Sequence, residues 1–377
     1  MFQLFLIRDV GETIQTYILR SPLDKPFYSS QARFTDRNSL LVRICTDDGI
    51  VGWGEGGQYG PPEPVACCIN DVLAPRLINT PADTPNRTFE ELYAFSRDFG
   101  QKGTYIEALS AIDIALWDIA GKLAGKPICE LLGGRLDRIP AYASTPMFED
   151  IDAYMSVIED LVRQGFQAVK FHTWCVPARD LELAREARRC YPNLALMLDA
   201  ENNYDHASAL EVAKALAELG FTWLEAPLPD RDLAGYRNLV KQVDIPVIPS
   251  GNWVQDLSLF QKAIQMGAWN TTRTDATILG GITPAREAVS ISEAAGMRCE
   301  LMSWGYTLPS AANLHLMLGC GNCSYYEQPL PFETFEYGMQ GVIRTQPDGH
   351  VYAPTEPGLG FGVDWPAMEE APVHQLV

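Results

Sequence analysis

From residue 166 onward, short apolar runs end at nearly one interval along this chain, and that interval constrains the fold more than any other feature. Lys170 closes FQAV, Asp199 closes LALML, Glu225 closes FTWL, and Asn252 closes IPVIPSG. Asp275 then follows WNTTRT, Met302 follows RCEL and Glu327 follows CSYY, so the successive steps are 29, 26, 27, 23, 27 and 25 residues. Between the runs lie stretches of amphipathic helical pattern such as DLELAREARRC and ASALEVAKALAEL. One strand plus one helix fills such an interval, and strands alternating with helices make a parallel sheet. With AYAST at 141–145 as the first strand there are eight units. The expected fold is therefore α/β, a (β/α)-barrel whose site lies at the C-terminal ends of its strands.

The first hundred residues follow another pattern. SLLVRICT at 39–46 alternates as a strand, and Asp47-Asp48-Gly49 turns the chain into IVGWGE. Residues 107–123 carry apolar side chains at helical spacing, with Ala111, Ile114, Ala115 and Ile119 on one stripe, and Gly125-Lys126-Pro127 ends the helix. The small residues of that stripe imply close packing. The expected organisation is an α+β capping domain over 1–125, a barrel over 126–336, and a C-terminal segment over 337–377 that packs on the capping domain and completes it.

Composition narrows the partners. A chain of 377 residues, 47% of them hydrophobic, can bury a barrel-sized core and a smaller one. The net charge of -19 has no compensating basic cluster, which argues against nucleic acid and against an acidic membrane surface. No apolar stretch reaches the roughly 18 to 20 residues that span a bilayer, so the expectation is a soluble cytoplasmic protein acting on small molecules. Nine cysteines without zinc-site spacing read as buried thiols, Cys175 and Cys299 among them.

Asp199 and Glu225 end adjacent strands in otherwise apolar runs. Two carboxylates brought together in a half-buried mouth repel, and a hard divalent cation relieves the repulsion. Asn252, at the end of the next strand, offers a neutral oxygen to the same ion. Each acid alone reads as a salt-bridged strand end; three consecutive strand ends favour a magnesium site, because magnesium takes few protein oxygens and keeps positions for substrate and water.

The segments SAIDIALWDIAGKLAGKPICELLGG, AVKFH, LMLDAENNY, TWLEAPLP, IPVIPSGN, TDATILGGIT and MSWGYTLP occur in the order seen in the mandelate racemase group of the enolase superfamily, which the chain resembles over nearly its whole length. The resemblance implies a capping domain closing over a modified TIM barrel, one magnesium ion per subunit and a homo-oligomer, octamer or dimer. It carries the ligand role to Asp199 and Glu225, the strand-two basic motif to Lys170, the acid of an Asp–His dyad to Asp275, and a substrate-contacting carboxylate to Glu327.

Three positions depart from that pattern. Asn252 stands where a glutamate is usual, and Glu201, two residues past Asp199, is a further metal or acid candidate. His172 replaces the second lysine of the strand-two motif; imidazole serves as a base at neutral pH, and Lys170 and magnesium are expected to keep it neutral. Met302 replaces the dyad histidine, and a thioether carries no proton.

With one face lacking its acid or base, racemisation ranks low. Abstraction of the α-proton of a carboxylate through an ene-diolate, followed by loss of a β-hydroxyl, needs one base, so dehydration of an acid sugar ranks first. Cycloisomerisation or β-elimination of an aldarolactone is the alternative, and a non-catalytic barrel is a reading from another class. The capping loops are expected at Pro22–Ser30 and Gly54–Gly60, with Gln58, Tyr59, Trp174 and Arg273 as substrate contacts.

Overall fold

The structure, a computed structural model, describes residues 9–56, 60–336, 338–364, 366 and 374–376. Three strands open it: β1 (Val10–Tyr28), β2 (Arg33–Thr46) and β3 (Val51–Gly56). They form an antiparallel sheet whose β1 edge is extended by a C-terminal strand, His374–Leu376. The hairpin is longer than its sequence suggests, since β2 begins at Arg33 rather than Ser39 and the expected loop at 22–30 is strand as far as Tyr28. Pairing survives Pro22 and Pro26 because the register shifts between Pro22 and Phe27, and such an irregularity is where a strand tolerates residues without an N–H.

The helix Thr104–Ala124 lies across this sheet and stops at Gly125, whose φ of 64° provides the left-handed cap. Its closeness to β3 depends on the glycines of VGWGEG. A Cβ placed on Gly54 would overlap the Ala111 carbonyl oxygen, and one on Gly52 or Gly56 would overlap the carbonyls of Ala115 or Glu107. The expected small-residue contact therefore has its other half in β3.

Eight parallel strands follow: β4 (Arg138–Thr145), β5 (Ala168–His172), β6 (Ala195–Asp199), β7 (Trp223–Glu225), β8 (Val247–Ile248), β9 (Thr272–Thr274), β10 (Cys299–Leu301) and β11 (Tyr326–Pro329). Hydrogen-bonded order runs β11-β4-β5-β6-β7-β8, with β9 and β10 paired beside it, and the β11–β4 pairing brings the last strand against the first. Most strand ends fall at or beside the polar stops of the sequence, but β8 closes at Ile248, well before Asn252. Alternate residues point inward, so Tyr142, Ala168, Met197, Trp223 and Ile248 fill the barrel with an apolar layer. Val169, Phe171, Leu196, Leu198 and Leu224 face outward into the main core. The register pairs His172 with Asp199 and Asp199 with Glu225, which sets the polar ends of three strands level. The tail touches both units: His350–Tyr352 pairs with the start of β4, and 374–376 with β1.

The helix Thr307–Cys320 is buried along its whole length. Inside it His315 accepts the Cys129 N–H at Nδ1 and faces the Leu359 carbonyl with Nε2, both at 3.1 Å, a pattern that requires the neutral ring. Burial pulls its pKa down to about 4 from an ordinary 6.5.

Two tests follow from these contacts. Gly54→Ala lowers unfolding free energy in urea by about 2 kcal/mol or more, whereas Gly60→Ala, where a Cβ meets open space, changes it little. For His315, the unfolded ring takes up a proton near 6.5 and the folded ring only near 4, so the unfolded state binds more protons between those values. Stability contributed by the neutral ring is present above pH 6.5 and declines by about 3 kcal/mol toward pH 4. A His315→Gln variant should show a shallower fall over that window in urea titrations.

Candidate active site

A cavity of about 280 Å³ opens at the C-terminal ends of the barrel strands. Lys170, His172, Asp199, Glu225, Arg273 and Glu327 line it from the barrel, and Glu201, Asn252, Met302 and Trp304 from the strand-end loops. The end of the β1–β2 hairpin closes it from above with Ser29, Gln31, Ala32, Phe34 and Arg37.

At its floor the Lys170 ammonium meets three carboxylates, Glu327 Oε1 at 2.9 Å and Asp199 Oδ2 and Glu225 Oε1 at 3.1 Å each. Arg273 joins from β9, with Nη2 2.7 Å from Glu327 Oε2 and Nε 3.2 Å from Glu225 Oε1. All five groups are almost wholly buried. Burial alone would drive the Lys170 proton off, but Glu225 and Glu327 outweigh it and hold the pKa well above the ordinary lysine value. Lys170 is thus held protonated among these carboxylates. Against burial, Lys170 and then Arg273 draw Glu327 down to about 2, and Lys170 and His172 hold Asp199 low. Glu225 goes the other way, to about 8, because burial and the facing Asp199 and Glu327 charges exceed what Arg273 and Lys170 return. Three carboxylates thus share two permanent cations, and the third keeps a proton.

His172 is fixed by its Nδ1, 2.6 Å from the Thr145 carbonyl oxygen. A carbonyl only accepts, so Nδ1 carries hydrogen and Nε2 is the nitrogen that faces the cavity and exchanges a proton. The Tyr154 hydroxyl also donates to the His172 carbonyl, which fixes the strand end behind the ring. Nε2 lies 3.3 Å from Asp199 Oδ2. Burial lowers the His172 pKa, but Asp199 and then Glu201 overcome it and raise it to about 9. Lys170 opposes the proton, as expected, while Asp199, bonded to the ring, favours it; the expected neutral ring depends on magnesium as well as on Lys170.

The remaining expected positions divide. Glu201 lines the cavity, with a left-handed φ of 40°, and accepts the Gln31 N–H at 2.9 Å, while the Gln31 side chain donates to its carbonyl. It therefore ties the cap to the barrel. The hairpin is also fastened by the Met147 N–H to the Tyr28 carbonyl at 2.7 Å and by the Thr173 N–H to Ser30 Oγ at 3.1 Å. Asn252 is exposed on the rim, beyond the two-residue β8. Arg273, expected to reach substrate from a strand end, lines the cavity and is paired there with Glu225 and Glu327.

Asp275 caps the short helix Ala276–Leu279, accepting from the Thr277 N–H at 2.8 Å and from Asn313 Nδ2 at 2.9 Å. It is not among the cavity-lining residues, and these hydrogen bonds hold the chain just beyond β9. Trp174 is likewise corrected: its indole donates to the Phe148 carbonyl at 2.8 Å and Arg179 stacks on it at 3.6 Å, away from the cavity lining. Gln58 and Tyr59 lie outside the described residues. Sequence reading missed Gln31, Phe34, Arg37 and Trp304; a charged residue just ahead of the apolar alternation at 39–46 was the available signal for Arg37.

Residues 13–133 match the N-terminal domain of the mandelate racemase/muconate lactonizing enzymes, and residues 153–367 match the enolase C-terminal domain-like family. The chain belongs to the mandelate racemase/muconate lactonizing enzyme family. Within it, a D-galactarolactone cycloisomerase from Agrobacterium fabrum is 30% identical over 95% of this chain and 97% of its own. An arabinonate dehydratase from Saccharolobus solfataricus is 26% identical over 88% of this chain and 90% of its own. The crystal structure of the 3,6-anhydro-D-galactonate cycloisomerase from Zobellia galactanivorans superposes with a TM-score of 0.86 at 26% identity, covering 96% of this chain and 99% of that one. The family's cap and barrel are the two units described above. Among the described residues no helix is long and apolar enough to cross a membrane.

The floor of this family site yields a stability test. Lys170→Met removes the common partner of three buried carboxylates and should cost about 3–5 kcal/mol in denaturant melts without divalent ions. Adding Glu327→Met to that variant should recover part of the loss, since one fewer carboxylate is stranded.

Proposed function

We propose that this chain removes the α-proton of an acid-sugar carboxylate with His172 as the base, and that the resulting ene-diolate expels a β-oxygen. The observation that carries the reading is the pairing of one oriented base, His172 Nε2, with Met302 at the end of strand seven, where a second proton carrier would otherwise stand. The α C–H bond breaks to His172, the β C–O bond breaks, and the imidazolium returns its proton to the leaving oxygen. Loss of a hydroxyl gives an enol that becomes the 2-keto acid, which is dehydration. Loss of a ring oxygen that stays in the molecule gives cycloisomerisation, and the relationship to a galactarolactone cycloisomerase favours that second outcome specifically.

The donor set suits a divalent cation. Glu225, pushed up to about 8, retains a proton where its neighbours leave a deficit of positive charge, and a cation between Asp199 and Glu225 supplies that charge. In this reading magnesium, which accepts few protein ligands, is the ion, and Asn252 or Glu201, both on the cavity lining, would complete the set begun by Asp199 and Glu225. When bound, it lends positive charge to the substrate carboxylate as the α-proton leaves. Lys170 and Arg273 hold Glu327 and Glu225 in place, and Lys170 adds a fixed positive charge beside the forming ene-diolate. Family resemblance extends the reading to a homo-oligomer working in the cytoplasm.

Proton exchange in deuterated buffer, followed by NMR over acid sugars and their lactones, tests the proposal. Deuterium should enter at the α-carbon with magnesium present and stop with a chelator, and His172→Asn should slow it about 10²–10⁴-fold. Exchange that survives His172→Asn would remove the histidine from the base role.

A further inference from the structure

Tyr154, on the helix Ile151–Arg163 that follows β4, is wholly buried in the main core and is not among the cavity-lining residues. Three rings set its plane. Phe148, Trp174 and Phe171 stand 4.9, 5.3 and 5.9 Å from it between centroids, at interplanar angles of 86°, 85° and 83°. Edge-to-face packing of this kind orients a ring as well as burying it. Trp174 comes two residues after His172, and its indole donates to the Phe148 carbonyl at 2.8 Å. The box around Tyr154 therefore joins the segments that leave β4 and β5.

A phenylalanine ring would fill the same box. A hydroxyl buried there is costly unless it is bonded, and its acceptor is the carbonyl of His172. From β4, Thr145 takes hold of the same residue: its carbonyl faces His172 Nδ1 at 2.6 Å, and its Oγ1 donates to the Lys170 carbonyl at 3.2 Å. Backbone pairing of β4 with β5 ends at Thr145 and Phe171. Beyond that point the place of His172 relative to the first strand is set by the Thr145 and Tyr154 bonds. An imidazole turns about two side-chain bonds, and a partner for Nδ1 aims the ring only while the Cα from which it hangs stays in place. The Tyr154 bond holds the peptide at that Cα.

We propose that Tyr154 is a positioning residue for proton transfer, which by holding the His172 carbonyl keeps Nε2 aimed at the α-carbon of the substrate. It acts through the histidine and touches neither substrate nor reacting atoms. This role rests on the reading of His172 as the base and adds to it a residue of the barrel wall. A base must come within hydrogen-bonding reach of the proton it takes, and a misplacement of about 1 Å costs on the order of 10²-fold in rate.

Tyr154→Phe removes the hydroxyl and keeps the ring box, and circular dichroism melts establish that the variant is folded. The first readout needs no substrate. In protein carrying ¹⁵N-histidine, the Nδ1 proton of His172, assigned by its loss in His172→Asn, should give a sharp downfield NMR resonance in wild type that broadens into the water signal in Tyr154→Phe. The second is α-deuterium exchange with magnesium present, where Tyr154→Phe should lower kcat about 10- to 10²-fold and leave KM unchanged. An unchanged resonance overturns the proposal, whatever the variant loses in melting temperature, and so does an unchanged kcat in a protein whose exchange depends on His172. A resonance lost in Tyr154→Phe while exchange survives His172→Asn upholds the hold on the ring and defeats the reading of His172 as the base. Exchange that His172→Asn abolishes and Tyr154→Phe spares does the reverse.

Discussion

A single ammonium group organises this site. Lys170 projects into the barrel from β5 and meets carboxylates from β6, β7 and β11, so it ties the second strand to the third, fourth and eighth across the interior. In so enclosed a place an unpaired charge is costly and a well-paired one rigid. Arg273 adds the sixth strand through Glu225 and Glu327. What holds the mouth of the barrel in shape is therefore the same set of charges that confronts a bound carboxylate. The apolar layer of Tyr142, Met197 and Trp223 beneath it keeps water out of the network from below.

Charge balance also explains the differences among the acids. Asp199 has two cationic neighbours and stays ionised, as does Glu327 between Lys170 and Arg273, while Glu225 faces both of the other carboxylates and retains a proton. His172 is tuned by the same field, since Asp199 holds its proton and Lys170 opposes it. Anything that draws on the charge of Asp199 loosens the hold on Nε2. The charge of the strand-three acid and the proton on the strand-two imidazole therefore belong to one equilibrium.

Much of this was legible in sequence because the barrel repeats. The interval between polar stops located the strands from the second to the eighth, although β8 closes at Ile248, well before Asn252, and AYAST supplied the first. Less legible was anything that depends on a partner distant in sequence. Trp174 looks like a binding residue until Phe148 and Arg179 take it up, and the hydrogen bond from Asn313 to Asp275 joins residues that only the fold brings together. The long first hairpin was hidden by Pro22 and Pro26, which suppress a strand pattern although a shift in register accommodates both. With β2 read as starting too late, Arg37 fell outside any element, and the roof of the cavity went with it.

The two units divide the work by the kind of constraint each can impose. Backbone ladders and buried ion pairs make the barrel floor stiff, which suits groups that must hold a reacting carbon within hydrogen-bonding reach of Nε2. The cap reaches the cavity through the end of one hairpin, fastened by contacts at Glu201, Thr173 and Met147. Ring packing adds to them, with Phe27 and Phe34 of the hairpin against Trp304 and Phe335. Because Glu201 follows Asp199 in the same loop, and Asp199 Oδ1 accepts the Glu201 N–H at 2.9 Å, the latch is fixed to the acid that governs His172. The attachment of the hairpin and the carboxylate beside His172 therefore meet in one turn of chain after strand three.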